Sequence, residues 1–292
     1  MPSILLALAA IAIWSSLALL NSQVRAVPPL FAVGIALCVG GIVGLVKVRE
    51  WRVPWRTFAV GVGGIFGYHA LLFAAFRLAP AVEVNLINYL WPLLIVLLSP
   101  AFLKGFRLRS WHVAGALLGF AGALLIVSGG SLEPDAAKLP GYVLAAAAAL
   151  VWACYSLLTK RLPPFPTGAV GGFCLASGAL ALALSFLEGG SSFTASLRAI
   201  HGFDWLSLAL LGLGPMGGAF YAWDAALKRG DPRVIGALSY LTPLLSTLNL
   251  VLLGGKALSP TAGLAMSLIV AGAVVGSMDL IKAALKGRGS AG

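Results

Sequence analysis

Eight side chains in apolar stretches of the chain have the chemistry to bind a small amphipathic molecule. Aromatic rings stack on flat apolar groups, whereas amides and a neutral imidazole can hold amino and carboxylate groups. For each ring, packing against another helix is the alternative role, and for each amide it is hydrogen bonding between helices. The eight candidates for substrate binding are Trp14, Tyr68, His69, Asn85, Asn88, Tyr89, Trp91 and Trp152.

The same inventory offers no reaction chemistry. An intramembrane protease needs a nucleophile beside its base or a buried pair of aspartates, and neither is present in the apolar stretches. His112 and His201 lie at opposite membrane faces and cannot join His69 on one metal ion. A Walker A sequence is also absent, so the chain has no ATPase motif. We predict that it is not an enzyme and holds no metal or cofactor.

Composition places the eight candidates in a membrane. Of the 292 residues, 60% are hydrophobic and 10% charged, against about 25% charged in a soluble domain. The apolar residues form continuous blocks of roughly 17–23, the length of a helix that crosses a bilayer. The sequence predicts an all-α polytopic membrane protein with ten transmembrane helices: Ile4–Leu20, Pro29–Val46, Thr57–Phe76, Ala81–Leu98, Trp111–Val127, Gly141–Thr159, Gly168–Leu187, Trp205–Leu227, Val234–Leu253 and Ala262–Ile281.

Two stretches have additional interpretations. The first span has the length of a signal peptide, but no basic residue precedes it, which disfavours that alternative. The long connection 188–204 carries Phe193, Leu197 and Ile200 at helical spacing and is predicted to contain a short interfacial helix.

Lys and Arg residues alternate across the membrane. Of the 20, fifteen follow even-numbered spans, including the tail after span 10, and five follow odd-numbered spans. Cytoplasmic loops carry the excess of Lys and Arg, so both termini are predicted to be cytoplasmic. The net charge of +11 is therefore a topology signal and does not indicate nucleic-acid binding.

The chain repeats itself at a constant offset of 151 residues. The glycine-rich motif at 61–67 recurs at 212–218, and Tyr89-Leu-Trp-Pro-Leu-Leu94 recurs as Tyr240-Leu-Thr-Pro-Leu-Leu245, with no gap over 34 positions. A weaker match joins the stretches that begin at Trp14 and Trp152. The repeat predicts two five-helix domains, at residues 1–130 and 141–285.

An odd number of spans per copy means that the second copy enters the membrane from the opposite side. Inverted repeats are typical of secondary transporters, whose substrate site lies near the midplane between the copies. Some channels are also duplicated, but a channel would need rings of charge or a filter repeated across subunits. We predict a monomeric carrier in the lipid bilayer that works by alternating access on a small-molecule substrate. Pro92 and Pro243, at equivalent positions of the repeat, are predicted to be its hinges.

These motifs resemble the drug/metabolite transporter superfamily, in its ten-helix EamA-type branch of bacterial exporters. The resemblance rests on Trp14-Ser-Ser, on Tyr-Leu-x-Pro-Leu-Leu in spans 4 and 9, and on the glycine spacings that begin at Gly115 and Gly272. It covers nearly the whole chain, and the aromatic content is most similar to the aromatic amino acid exporters of that branch. Members often carry Gly-Glu before spans 5 and 10. Here these places read Gly105-Phe106 and Gly255-Lys256, so no role is carried over from that glutamate.

The resemblance implies a multi-pass protein of the bacterial inner membrane that exports small amphipathic metabolites, above all aromatic or other hydrophobic amino acids. A broader exporter of drugs or nucleobase-like metabolites is the alternative, and a non-transport scaffold or channel is a third interpretation. Export itself follows only from the resemblance, because an alternating-access carrier can run in either direction.

Depth along the spans separates the aromatic residues. The six aromatic and imidazole candidates lie roughly 12–18 Å below a membrane face at 1.5 Å per residue, near the midplane. Trp51, Trp55, Trp111 and Trp205 lie at span ends, as aromatic belts do, and Trp223 fits either group. Among the acidic residues, Asp224 is predicted to pair with Lys228 four residues on, and Glu83 is predicted to be solvated at the outer face.

Overall fold

The computed structural model describes residues 3–21, 23–24, 27–128, 136–189, 197–198, 200–254, 260–279 and 281–282. These residues form helices and short connections without any strand, which confirms the all-α prediction. The helices are α1 (Ser3–Ser15), α2 (Leu17–Asn21), α3 (Pro29–Val43), α4 (Trp55–Leu78), α5 (Ala81–Asn88), α6 (Leu90–Phe102), α7 (Ser110–Ser128), α8 (Leu139–Arg161), α9 (Ala169–Gly189), α10 (Gly202–Leu213), α11 (Ala219–Arg229), α12 (Pro232–Leu238), α13 (Leu241–Gly254) and α14 (Pro260–Gly276). Two 3₁₀ segments, Gly44–Trp51 and Ala136–Lys138, and a π-helical segment, Gly214–Gly218, connect some of them.

These helices follow the predicted spans, but several are shorter or broken. Six helical stretches are long and apolar enough to cross a membrane, whereas Ser3–Ser15 and Pro260–Gly276 are shorter apolar helices. The first predicted span is broken between α1 and α2, where Ser15 and Ser16 donate side-chain hydrogen bonds back to the Ala12 and Ile13 carbonyls. Serine hydroxyls that bond back in this way bend helices. The predicted interfacial helix at 188–204 lies partly outside the described residues, which here are 188–189, 197–198 and 200–204.

Spans 4 and 9 are each broken one turn before a proline. Tyr89 separates α5 from α6 with φ −64° and ψ 2°, and the break between α12 and α13 lies at Ser239 and Tyr240. A proline ring clashes with the carbonyl of the residue four positions earlier, which is Asn88 for Pro92 and Ser239 for Pro243. The two breaks are therefore local consequences of the repeated Tyr-Leu-x-Pro motif.

Glycines allow the closest helix packing, between α7 and α14. A Cβ atom added at Gly115 would lie 2.4 Å from the Gly276 nitrogen, and one at Gly272 would lie 2.6 Å from the Gly119 nitrogen. Any side chain would collide with backbone at these points. The glycine spacings of spans 5 and 10 thus join the two helices backbone to backbone.

An ionic cluster ties the start of α7 to the residues after α14. Asp279 accepts hydrogen bonds from Arg109 (2.9 Å) and contacts His112 Nε2 (3.1 Å). Arg233 donates to both carboxylate oxygens of Asp231 and to the Arg107 carbonyl. The connections before α7 and α12 and the residues after α14 are therefore held together.

Candidate functional site

A cavity of about 350 Å³ lies among the helices of both halves of the chain, within the size range of small-molecule sites. All eight candidate residues from the sequence line it. The wall also contains Leu17, Val33, Leu72, Phe73, Phe76, Val127, Pro215, Met216, Phe220, Thr242 and Ser246. The structure therefore brings the candidates together, and their role in binding stays a prediction.

Four tryptophans form the floor of the cavity, and we call Trp14, Trp91, Trp152 and Trp223 the tryptophan cluster. The ring centroid of Trp14 lies 6.1 Å from that of Trp91, 6.0 Å from that of Trp152 and 5.2 Å from that of Trp223. Trp223 is 1% exposed and does not reach the cavity surface. The pairs of Trp14 with Trp91 and Trp152 are edge-to-face, and such pairs are worth about 0.5–1.5 kcal/mol each beyond area burial, so the floor is a stiff apolar platform.

The π-helical segment Gly214–Gly218 positions part of this floor. Pro215 has no N–H to donate, so the regular α-helical hydrogen-bonding pattern is interrupted in its segment. The Trp14 indole N–H donates to the Pro215 carbonyl at 3.0 Å. A Cβ at Gly217 would lie 2.8 Å from the Cα of Gly40, so the segment packs directly on α3. π-Bulges are frequent at functional sites because they re-aim side chains.

Helix α4 supplies one wall, with its lining residues running toward the end of the helix at Leu78. Tyr68 is half-buried and His69 is 3% exposed, with their rings 4.9 Å apart. The His69 Nδ1 lies 2.7 Å from the Ile65 carbonyl. A carbonyl only accepts hydrogen bonds, so Nδ1 carries the proton and the Nε2 lone pair of a neutral His69 is left as an acceptor.

Helix α5 and its break supply the polar groups of the opposite wall. The Asn88 side-chain nitrogen donates to the Tyr68 hydroxyl at 3.1 Å, and Asn85 is exposed toward the cavity. Within the part of the chain that the structure describes, the Asn88 Oδ1 and the Thr242 hydroxyl are buried without a hydrogen-bond partner. Buried polar atoms normally have partners, so these two oxygens are positions at which a ligand would complete the hydrogen bonding.

Fixed charge is absent from the cavity wall. No Asp, Glu, Lys or Arg occurs among the described lining residues, and no group of three or more His, Cys, Asp or Glu in the described ranges could hold a metal ion. The cavity therefore suits a molecule that is neutral overall. It continues along α4 and α5 toward the connection between them, as the lining residues Phe76 and Asn85 show.

Charged side chains lie instead beyond the tryptophan cluster, around the end of α11. The Asp224 carboxylate accepts from Lys228 and from the Thr167 hydroxyl, both at 2.7 Å, which confirms the predicted ion pair. Lys160 donates to the carbonyls of Leu227 and Gly230 and so joins α8 to α11. These contacts hold the ends of α8 and α11 together.

Glu83 at the start of α5 is only partly buried, so the structure does not contradict the prediction that it is solvated. The Tyr142 hydroxyl at the start of α8 donates a hydrogen bond to its carboxylate. The side chain lies partly buried between α5 and α8, because the helix that follows the 129–135 connection packs against the start of span 4.

Several aromatic or polar residues of the site were not selected from the sequence, and three of them matter most for its geometry. Phe220 and Thr242 line the cavity, and Trp223 supports its floor. The repeat contains a signal for two of them, because the offset of 151 places Phe220 over His69 and Thr242 over Trp91.

Comparison with known proteins agrees with this architecture. A model of the EamA-like transporter family matches residues 1–128 and 139–278. The chain belongs to the EamA-like transporter family. It is 44% identical to the aromatic amino acid exporter YddG of Ancylobacter novellus, over 94% of this chain and 96% of that protein. It is 25% identical to a probable amino-acid metabolite efflux pump of Escherichia coli, over 94% of each.

A solved structure supports the same fold. The crystal structure of a protein 43% identical to the chain gives a TM-score of 0.87 and covers 94% of this chain and 96% of that one. Family membership and the apolar helices together make the chain a multi-pass membrane transporter of small molecules.

Proposed function

We propose that this EamA-like transporter exports aromatic and other hydrophobic amino acids by alternating access through the cavity described above. The names of its relatives point to amino acids. The observation that carries the proposal is the pairing of an aromatic floor with the unpartnered oxygens of Asn88 and Thr242. A molecule that is flat and apolar at one end and polar at the other would satisfy both.

The wall chemistry fits a zwitterion. An ammonium group donates hydrogen bonds, and Asn88 Oδ1, the Thr242 hydroxyl and His69 Nε2 are free acceptors on residues that line the cavity. A carboxylate can accept from the amide nitrogen of Asn85 and from the hydroxyl groups of Tyr68 and Tyr89. The side chain of the amino acid would lie on Trp14, Trp91 and Trp152. A buried charge would need an opposite charge in the wall, whereas a zwitterion needs only dipoles.

The proposed carrier has ten membrane spans in two inverted repeats, at residues 1–130 and 141–285, with both termini cytoplasmic. With this orientation the connection between α4 and α5 is on the outer side, so the cavity opens outward and the end near Lys160 is closed to the cytoplasm. The breaks at Tyr89 and Ser239–Tyr240 would act as hinges set by Pro92 and Pro243. One copy of the chain builds the whole cavity, so we propose that a monomer in the inner membrane is active.

Uptake into proteoliposomes tests the substrate class. Purified protein is reconstituted, and entry of radiolabelled phenylalanine, tryptophan, threonine and adenosine is followed against protein-free vesicles. We expect saturable uptake of phenylalanine and tryptophan, with unlabelled tryptophan competing for phenylalanine. If adenosine is taken up and none of the amino acids is, the protein is instead an exporter of nucleobase-like metabolites. If none of the four compounds is taken up, the proposed substrate class is wrong.

A further inference from the structure

The Tyr240 hydroxyl is inserted into the break between α5 and α6. It accepts a hydrogen bond from the Leu93 N–H at 3.1 Å and donates one to the Tyr89 carbonyl at 3.2 Å. These two backbone groups belong to the first turn of α6, because Tyr89 is the N-cap of that helix and its carbonyl accepts the first intrahelical bond. A side chain of the second half of the chain therefore hydrogen-bonds to both backbone groups at the start of α6, directly after the break.

The surroundings of Tyr240 fix this insertion. Its side chain is fully buried, and a Cβ added at Gly119 would lie 2.5 Å from its ring. The ring thus occupies the space that the absent side chain of Gly119 leaves on α7. Phe120 packs next to it, with ring centroids 6.4 Å apart.

The repeat gives Tyr240 a counterpart in Tyr89, at the offset of 151 residues. Tyr89 lies at the equivalent break. At the same offset, the Leu244 N–H corresponds to the Leu93 N–H, and the Tyr240 carbonyl corresponds to the Tyr89 carbonyl. The side chain of Tyr89 is only half-buried and lines the cavity. It packs against the apolar cluster that contains Tyr240 and Leu244. The two tyrosines therefore share one sequence position but have different environments.

We propose that Tyr240 and Tyr89 are reciprocal positioning residues of the transport cycle. Tyr240 holds the break in span 4 while the cavity is open at the α4–α5 end. When the opposite end opens, the Tyr89 hydroxyl takes the equivalent place between the Leu244 N–H and the Tyr240 carbonyl, and the Tyr240 hydroxyl leaves span 4. This exchange rests on the proposed alternating access and adds the contacts that distinguish its two end states.

Each hydroxyl then stabilises only one state, so its removal shifts the equilibrium between them. Loss of one hydrogen-bonding hydroxyl corresponds to a population change of about fivefold. Removal of the Tyr240 hydroxyl favours opening of the closed end, and removal of the Tyr89 hydroxyl disfavours it.

Cysteine labelling at the closed end measures this shift without any substrate. Ser156 is fully buried there and accepts a hydrogen bond from the Trp223 indole. Ser156→Cys in a background with Cys38, Cys154 and Cys174 replaced by alanine reacts with a maleimide only when that end opens. Labelling rates of purified, monodisperse protein are compared among the reporter alone and the reporter combined with Tyr240→Phe or Tyr89→Phe. Tyr221→Phe, which removes a hydroxyl bonded to the Gly40 carbonyl elsewhere, is the matched control.

We expect Tyr240→Phe to raise the labelling rate about fivefold and Tyr89→Phe to lower it by a similar factor, with Tyr221→Phe unchanged. The proposal would be overturned if the labelling rates of Tyr240→Phe and Tyr89→Phe changed in the same direction, because general destabilisation raises labelling in every variant. It would also be overturned if neither labelling rate differed from that of Tyr221→Phe. If Tyr240→Phe is not recovered folded, Tyr89→Phe decides alone, and an unchanged or higher rate overturns the exchange. Because no substrate is present, this outcome is independent of the uptake experiment.

Discussion

At the scale of single residues, the cavity divides into a stacking surface and a small polar surface. The stacking surface could be predicted because tryptophans at mid-span are unusual and their depth follows from the helical rise. The polar surface could be predicted only in part. Asn88 has chemistry of its own, whereas Thr242 is a common residue whose importance comes from its place in the cavity wall and from its unpartnered hydroxyl.

Trp223 shows why a helical face cannot always be read from the sequence. It was placed near the end of span 8 with no assigned role. A π-bulge adds one residue to a helix, so the Gly214–Gly218 segment rotates the residues after it by about 100° relative to a continuous α-helix. This rotation brings Trp223 beneath Trp14, and no periodicity in the sequence reports it.

The Asp231–Arg233 pair leads to a prediction about pH. Burial alone would raise the pKa of Asp231, but hydrogen bonds from the Arg233 guanidinium and backbone N–H hold that pKa below its ordinary value. Such a carboxylate stabilises the fold above its unfolded pKa of about 4, and this stability is lost as the pH falls through the folded value.

We therefore expect the melting temperature of the wild type to fall more steeply than that of Asp231→Asn between about pH 5 and pH 3. The asparagine still accepts from the Arg233 N–H and so keeps the helix cap. Thermal unfolding in detergent across this range measures both slopes, and equal slopes would show that the carboxylate contributes no pH-dependent stability.

At the scale of elements, the repeated Tyr-Leu-x-Pro motif indicated where two spans are interrupted but not which residues contact the breaks. Tyr-Leu-x-Pro locates both breaks because proline acts on the residue four positions earlier. The Tyr240 hydroxyl reaches the break between α5 and α6 through a contact between residues 147 positions apart. A local sequence pattern contains no information about such a contact. The bend at Ser15 and Ser16 was missed for a related reason, since serine hydroxyls compete with the backbone without changing the apolar pattern.

The glycine contact between α7 and α14 gives a prediction about packing. Gly115→Ala places a methyl group against the Gly276 backbone, and overpacking of this kind costs about 1–3 kcal/mol. Gly63→Ala is the matched control, because nothing lies within 4 Å of a Cβ added there and alanine favours a helix by up to about 1 kcal/mol.

Fluorescence-detected size-exclusion chromatography after heating compares these two variants with the wild type. We expect the melting temperature of Gly115→Ala to fall and that of Gly63→Ala to stay the same or rise. A drop of equal size in both variants would mean that the contact between α7 and α14 has no special role.

At the scale of the whole molecule, the cavity and the charged residues occupy different ends. The aromatic wall extends toward the α4–α5 connection, whereas the ion pairs and the Lys160 hydrogen bonds lie near the end of α11. The charge asymmetry was readable from the sequence because it depends only on which connection carries each Lys or Arg. Which end is open was not readable, because both states of a carrier have the same sequence.

The central claim is that Trp14, Trp91, Trp152 and His69 bind the transported amino acid. Phenylalanine uptake per folded molecule, measured in proteoliposomes for Trp91→Ala, His69→Ala and Trp55→Ala, tests it most directly. Trp55 is 74% exposed at a helix start and is the control. If the Trp91 ring stacks on the substrate, its loss should reduce affinity by about 1 kcal/mol or more, a rise in KM of about fivefold or greater. We expect such a rise for Trp91→Ala, reduced uptake for His69→Ala and wild-type uptake for Trp55→Ala. If Trp91→Ala and His69→Ala lower only the yield of folded protein and transport phenylalanine like the wild type, these residues are packing and the cavity assignment is wrong.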